Sequence, residues 1–368
     1  MACEGTTSDA TVSGGAILGQ GTYGCAFSPP LKCRGKPKNP MNLVKKRVGK
    51  LTNEFDAYWE MKITETLRKN QLAQNYFILI EESCGPDSRD AQDEPDLPKC
   101  KALKGRKITT FKQITMPFGG IALPMASLHP SDFDIFSFAR HLLEAGSILL
   151  LSGIVHMDLH PGNIVMDHYM VPRIIDFGLS IIPGAIDAEQ MTLIRRSPEF
   201  HFDQEPPEVS LLWAVLADVA DEDTPDDIIR DKKAFRDIEV FTQSKSAATE
   251  LEIFWNKSKS LKEKDALLFM QTYWPQYDAW SIGVVLLRVL KQLSIYKNFQ
   301  FNPTYVNNKE VLEKVVKGLL EPNPMKRTDA IEALSVLMSD PRGEKESDSY
   351  VLNELAAEWL AKRRQQKV

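Results

Sequence analysis

Cysteine is scarce in this sequence. Cys3, Cys25, Cys33, Cys84 and Cys100 are the only five in 368 residues, and no two form a CxxC. An odd number leaves one thiol unpaired whatever the pairing, and no signal peptide opens the chain, so reduced cytosolic thiols are the expectation. A zinc site from Cys33, Cys84 and Cys100 would lack any recognised ligand spacing. Long apolar runs are missing too. The longest, residues 142–155, is broken by Glu144 and too short for a bilayer; it reads as a buried helix, and no membrane partner is expected. Charge of one sign is also lacking: a net charge of −5 gives no global basic field, so nucleic acid is not expected as a partner. Residues 45–50 and 101–112 are basic and residues 87–96 and 203–237 acidic, runs that read as solvated faces. No internal repeat is visible.

What is present is ordinary globular material, 43% hydrophobic and 26% charged, with length enough for two lobes or one large domain. The first dozen residues, rich in Ser, Thr, Gly and Asp, predict an unstructured tail over 1–14. From residue 15 to 117 short β-rich runs alternate with Gly, Pro and Asn, interrupted by one helical stretch at 53–69 with Phe55, Trp59, Ile63 and Leu67 as its apolar stripe. Beyond Leu123 the pattern turns helical: 133–151, 280–293, 311–320 and 330–337 carry helical stripes. Strands first and helices after predict two lobes of different class, 15–117 and 118–340, joined near Met116 to Gly120. Residues 341–368 form a tail in which 350–367 predict a surface helix with a basic end.

Gly19-Gln20-Gly21-Thr22-Tyr23-Gly24 is G-x-G-x-x-G. Glycines there let backbone N–H groups approach phosphate oxygens with no Cβ in the way. A dinucleotide fingerprint needs a helix directly after the third glycine. Cys25-Ala26-Phe27-Ser28-Pro29-Pro30 reads instead as a second strand ending in a turn, so a hairpin over phosphates is the better fit; a purely structural glycine turn is the other reading.

A second cluster begins at His156-Met157-Asp158-Leu159-His160-Pro161-Gly162-Asn163 and ends at Asp176-Phe177-Gly178. Two short apolar strands lie between, so Asp158 and Asn163 sit on a loop and Asp176 ends the second strand. Two carboxylates and an amide oxygen are hard donors, and that set suits Mg2+ held jointly with substrate phosphates. Asp158 is then left to orient a hydroxyl and accept its proton. The alternation His156, Asp158, His160 also fits a zinc or iron hydrolase, but that reading leaves Asn163 and Asp176-Phe177-Gly178 unexplained.

These residues resemble the eukaryotic-type protein kinase family. His156-Met157-Asp158 stands where the family has H-R-D, Asn163 matches its catalytic-loop asparagine, and Asp176-Phe177-Gly178 matches D-F-G. Ser197-Pro198-Glu199 looks like A-P-E, Asp278-Ala279-Trp280-Ser281-Ile282-Gly283 like D-x-W-S-x-G, and Asn323 to Arg327 like the segment whose arginine pairs with the A-P-E glutamate. More narrowly, Gly21-Thr22-Tyr23-Gly24-Cys25, Pro29-Pro30-Leu31-Lys32-Cys33, Val48 to Thr52 and Tyr273 to Asp278 resemble serine/threonine kinases of large nucleocytoplasmic DNA viruses. The resemblance implies an α+β fold of two lobes, a small β-rich one with one helix and a larger helical one. It further implies ATP and Mg2+ as cofactors, protein Ser/Thr hydroxyls as acceptors, and a cytoplasmic location, the host's or a virion's if the chain is viral. Asp158 would be the base; Asn163 and Asp176 would hold metal; residues 19–24 would cover phosphates; Met116 and Phe118 would flank adenine; and Glu199 would pair with Arg327.

The ATP lysine is less fixed, since Lys45, Lys46 and Lys50 share one strand. Alternation puts Val48, Lys50 and Thr52 on one face, whereas choosing Lys46 turns Lys45 and Arg47 inward, a costly burial; Lys50 is therefore preferred, with Glu60 as its helix partner and Glu54 in reserve. Met157 replaces the arginine that grips a loop phosphate in the family, which predicts activity without loop phosphorylation. His160 stands where serine/threonine kinases carry lysine near the γ-phosphate, and D-L-H-P-G-N also occurs in kinases of small molecules. A pseudokinase that only binds is the third reading. Residues 200–272, with Trp213 and Trp255, exceed what the family needs and predict a folded helical insertion, for docking or as a buttress.

Overall fold

The computed structural model describes residues 16–20, 24–35, 46–92, 96–187, 191, 197–242, 247–339 and 349–366. Gly21, Thr22, Tyr23, Lys45 and the tail 1–14 lie outside the described residues. The chain is mixed α+β and divides into two compact units, Met1–Thr64 with Ile78–Phe118 and Glu65–Phe77 with Gly119–Val368. Among the described residues no helix is long and apolar enough to cross a membrane.

The first unit is built on an antiparallel sheet of β1 (Ala16–Gln20), β2 (Cys25–Ser28), β3 (Arg47–Thr52), β4 (Glu82–Cys84) and β5 (Lys112–Pro117), in the order β1-β2-β3-β5-β4. Its alternating side chains build two small cores. Cys25, Phe27 and Leu51 face the buried Leu97, Leu103 and Ile108, which project from successive 3-10 turns, and Phe111, which follows the last of them. Ile114 and the half-buried Met116 face the opposite way, onto Ala57 of helix α1 (Glu54–Leu67). Gln113 is a fully buried polar side chain on the first face. Its amide accepts from the Leu31 N–H at 2.7 Å and donates to the Leu31 carbonyl at 3.0 Å, so it costs nothing unpaired and ties the chain after β2 to β5.

Two sequence expectations fail here. Cys25 is disulfide-bonded to Cys100 and Cys33 to Cys84, so four of the five cysteines are not free thiols, and no zinc site forms from Cys33, Cys84 and Cys100. The partners are 75 and 51 residues apart in sequence, and the fold of the first unit brings them together. The stripe on α1 holds at Ile63 and Leu67 but not at its start. Phe55 is 63% exposed, and the inward face carries Ala57, Glu60, Ile63, Thr64 and Leu67. Asn53 caps this helix, its Oδ1 accepting from the Asp56 N–H at 2.8 Å, and Glu54 and Asp56 place negative charge at the positive end of the dipole.

In the second unit α2 (Ala73–Tyr76) is followed by α3 (Ile135–Leu151), capped by Asp134 and buried along most of its length. Around α3 pack α10 (Tyr277–Ser294), α11 (Pro303–Leu319) and α12 (Ala330–Met338). A second small antiparallel sheet joins β6 (Ile121–Ala122), β7 (Ile164–Met166) and β8 (Pro172–Ile174). Gly120 makes the β6 approach possible: its φ is +131°, and a Cβ there would stand 2.0 Å from the Met166 carbonyl oxygen. The described residues between 207 and 273 form the helices α4 (Pro207–Leu216), α5 (Thr224–Asp231), α6 (Lys233–Thr242), α7 (Ala247–Lys257), α8 (Lys259–Lys262) and α9 (Ala266–Tyr273). They share an apolar core centred on Trp213, Leu251 and Phe254. Helix α13 (Glu354–Gln366) is mostly exposed with a basic last turn, and two of its side chains tie it to Asp329. Trp359 donates to Asp329 at 2.8 Å, and Arg363 pairs with the same carboxylate at 3.1 Å.

Candidate functional site

In the first unit, strand β3 meets helix α1 through one ion pair. Lys50 Nζ lies 2.6 Å from Glu60 Oε1, and the glutamate side chain is only 3% exposed. The two reserves sit elsewhere: Lys46 is exposed beside the strand, and Glu54 pairs at the surface with Lys112 at 3.1 Å. Burying Arg47 is not the obstacle that strand alternation suggested. It is buried even so, with Glu81 at 2.5 Å, Glu82 at 2.9 Å and Thr115 at 3.2 Å supplying what water would. Gly19 and Gln20 end β1, and the Gln20 side chain accepts from the Lys101 N–H at 3.2 Å. Gly24 opens β2 so close to β3 that a Cβ would lie 2.1 Å from the Leu51 carbonyl oxygen, a close approach open only to glycine. Met116 packs half-buried, while Phe118 is exposed. The Phe118 N–H already donates to the Lys46 carbonyl at 2.8 Å, which removes one donor expected to face adenine.

In the second unit the loop from His156 to Asn163 is held from below and from within. Asp278, in the first turn of α10, accepts the His156 N–H at 2.7 Å and the Met157 N–H at 3.3 Å. Burial pushes its carboxyl above the usual range, against the pull of His156 and of those two amides. Both ring nitrogens of His156 are engaged by backbone, Nε2 with the Ile175 carbonyl at 3.0 Å and Nδ1 with the Asp158 N–H at 3.3 Å. This histidine orders the loop and is not placed to ligate a metal, which removes the basis of the hydrolase reading. Met157 and Asp176 both adopt φ of 68°, a left-handed backbone that costs a non-glycine residue about 1–3 kcal/mol and persists only where the surroundings impose it.

Asn163 joins the parts. Its Nδ2 donates to the Asp158 carbonyl at 2.9 Å and to Asp158 Oδ2 at 3.2 Å, which leaves its amide oxygen to turn another way. Its own carbonyl accepts the Ile175 N–H at 3.0 Å, and the register Ile164 with Ile174 carries Asn163 and Asp176 to the same end of the β7–β8 ladder. Phe177 is buried, 5.2 Å from the His156 ring and 5.8 Å from Phe77. Asp158 keeps 25% of its side chain exposed, and His160 Nε2 stands 3.8 Å from its Oδ2 while His160 Nδ1 accepts the Gly162 N–H at 3.0 Å. Among the described residues no group of three or more His, Cys, Asp or Glu is arranged to hold a metal ion. The Asn163 amide oxygen and the Asp176 carboxylate, whose Oδ1 also accepts the Gly178 N–H at 3.4 Å, are hard ligands and fit a magnesium ion that takes its other ligands from phosphate and water.

Below this loop lies a correction. Arg327 pairs with Glu208 and not with Glu199, which is exposed. Pro206-Pro207-Glu208 offered the same x-P-E pattern as Ser197-Pro198-Glu199, so the signal existed, and only its position at the start of a buried helix tells the two apart. The stretch leading to Glu208 is held by a residue that sequence reasoning did not single out. Lys232 is fully buried, its Nζ 2.7 Å from the Phe202 carbonyl oxygen. Burial pushes its ammonium down to about 8, against the pull of Glu205, Asp203 and Glu208. No protein-family model matches the chain, and no curated protein matches it.

Proposed function

We propose that the chain is a bilobal protein kinase that transfers the γ-phosphate of ATP to Ser/Thr hydroxyls of proteins. The observation that carries the reading is the pair of hydrogen bonds that the Asn163 amide donates to Asp158, one to its carbonyl and one to its carboxylate. The pair fixes the rotamer of a partly exposed carboxylate while leaving an amide oxygen for a cation. On this reading Asp158 orients the acceptor hydroxyl and takes its proton as the oxygen attacks phosphorus and ADP leaves. Asn163 and Asp176 hold Mg2+, which when bound offsets the charge on the phosphate oxygens. Lys50, kept in place by Glu60, binds the nucleotide phosphates, and the glycines of residues 19–24 cover them.

The stretch from Ser197 to Pro206 then receives the protein acceptor, anchored by Glu208 to Arg327. That anchor favours a protein acceptor; His160 beside Asp158 favours a small-molecule one. The two disulfides call for an oxidising setting, which suits packaging in a virus particle better than residence in host cytoplasm. A radiolabelled ATP assay offering protein substrates and small metabolites side by side separates these readings. Label in protein, lost with Asp158→Asn while nucleotide binding persists, supports the proposal. Label in a metabolite supports a small-molecule kinase, and nucleotide binding without turnover supports a pseudokinase.

A further inference from the structure

Residues 202–204 are held in an unusual way for a loop. Three successive carbonyl oxygens are each taken by a side-chain donor. Lys232 takes that of Phe202 at 2.7 Å, Trp280 Nε1 that of Asp203 at 2.8 Å, and Ser281 Oγ that of Gln204 at 2.8 Å. Trp280 and Ser281 come from α10, so two of the three ties belong to the main helical body. The third comes from the corner between α5 and α6, inside the helical stretch that a minimal kinase would not need. The same corner adds a second tie. The Ala234 N–H donates to Asp203 Oδ1 at 3.1 Å, while Asp203 Oδ2 pairs with Arg288 at 2.8 Å.

A buried lysine is a poor choice for general stability. Desolvation of an ammonium is costly, and an apolar side chain of similar volume would pack as well. What the lysine adds is direction, a charge-assisted donor aimed at one carbonyl. That carbonyl also accepts the Glu205 N–H at 3.2 Å, so Lys232 fixes the turn that delivers the chain to Glu205, whose carboxylate takes Ser210 Oγ at 2.8 Å and Trp213 Nε1 at 3.0 Å. On the other side, Met157 is buried in the apolar cluster with Val155, Ile181 and Trp213, so its position in the catalytic loop offers no cation to capture a phosphate.

We infer that Lys232 is a positioning residue through which the helical stretch between α4 and α9 braces residues 202–205 for the protein acceptor, in place of a phosphate. The inference rests on the kinase reading for the word acceptor, and on geometry alone for the brace.

The test uses the full chain carrying Lys232→Met, with hydrogen exchange and steady-state kinetics on casein. Exchange at the Glu205 amide should rise about tenfold or more while the amides of α10 stay unchanged. The KM for casein should rise about tenfold with the KM for ATP within about twofold, and Lys232→Arg should recover part of the loss. Ala234→Pro, in the first turn of α6 where proline is tolerated, removes the second tie and should reproduce both effects if the methionine variant does not fold. Exchange at Glu205 unchanged in a folded variant, or both KM values rising together, overturns the brace. A wild-type chain that labels no protein at all sinks the kinase reading instead, and the exchange measurement still judges the brace.

Discussion

Arg327 and Glu208 meet as a parallel pair, Nη1 and Nη2 each 2.7 Å from one carboxylate oxygen, with side chains 0% and 1% exposed. The remaining donors of the guanidinium are also spent. Nε reaches the Glu321 carbonyl at 2.7 Å, and the outer nitrogens reach Gln276 and Pro322 carbonyls at 3.3 and 3.2 Å. Its plane lies 5.0 Å from the Trp280 ring. A buried pair is worth little against an apolar replacement, but a buried charge stripped of its partner is expensive.

Removing the carboxylate alone should therefore be severe. Glu208→Ala is expected to lower the unfolding free energy by about 3–5 kcal/mol, because it strands Arg327. Glu199→Ala, at an exposed position, should change it by less than about 0.5 kcal/mol. Urea unfolding of the two variants checks the assignment, and equal losses would return the pairing to Glu199.

The Lys50–Glu60 pair makes a sharper claim about nucleotide. A charge-assisted bond to phosphate is worth about 1.5–3 kcal/mol, so Lys50→Met should weaken Mg-ATP binding by about tenfold to a hundredfold. Glu60→Gln should weaken it less, since the ammonium survives but loses its anchor. Lys46→Met should leave it unchanged. Calorimetric titration of the three variants decides which lysine serves the nucleotide; a loss confined to Lys46→Met would overturn the choice of Lys50.

Much of this was legible before any coordinates, and what was not has a common cause. Short periodic runs marked the helices and the β-hairpin of β7 and β8, because amphipathic spacing is a local property. The grouping of Asp158, Asn163 and Asp176 followed from a loop, a hairpin and a strand end, again over a few residues. Pairings between distant segments were not legible. The partner of Arg327 depended on which of two x-P-E segments starts a buried helix. The disulfide partners depended on how the turns outside the sheet return to its strands. The inward face of α1 keeps Ile63 and Leu67 but also holds Glu60, the partner of Lys50, while Phe55 is exposed. Arg47 was misjudged for the same reason: its burial is tolerated only because Glu81 and Glu82 arrive from another strand.

The cysteine pairs predict a simple chemical count. Alkylation of the unfolded chain without reductant should modify Cys3 alone, and after reduction all five cysteines. Each bridge restricts the unfolded chain over a long loop, so reduction should cost about 2–4 kcal/mol per bridge. Mass spectrometry reads the count and urea unfolding with and without reductant reads the cost. Modification of all five cysteines without reductant would show the bridges absent.

Lys232 gives stability an alkaline signature. Its ammonium, at about 8 in the fold against 10.5 for the unfolded chain, binds fewer protons in the native state across that interval. Between those limits the unfolded chain holds the extra proton, so this lysine's contribution is fully present above 10.5 and is lost as pH falls through 8. A shift of that size corresponds to roughly 3 kcal/mol. Other groups titrate in the same interval but are shared by wild type and Lys232→Met, and they cancel in the difference. The wild-type unfolding free energy should therefore climb relative to the variant from pH 8 toward 10.5, with Phe202 still accepting a bond from the neutral amine. Parallel pH curves for the two proteins would mean that Lys232 is not held in the desolvated place described for it.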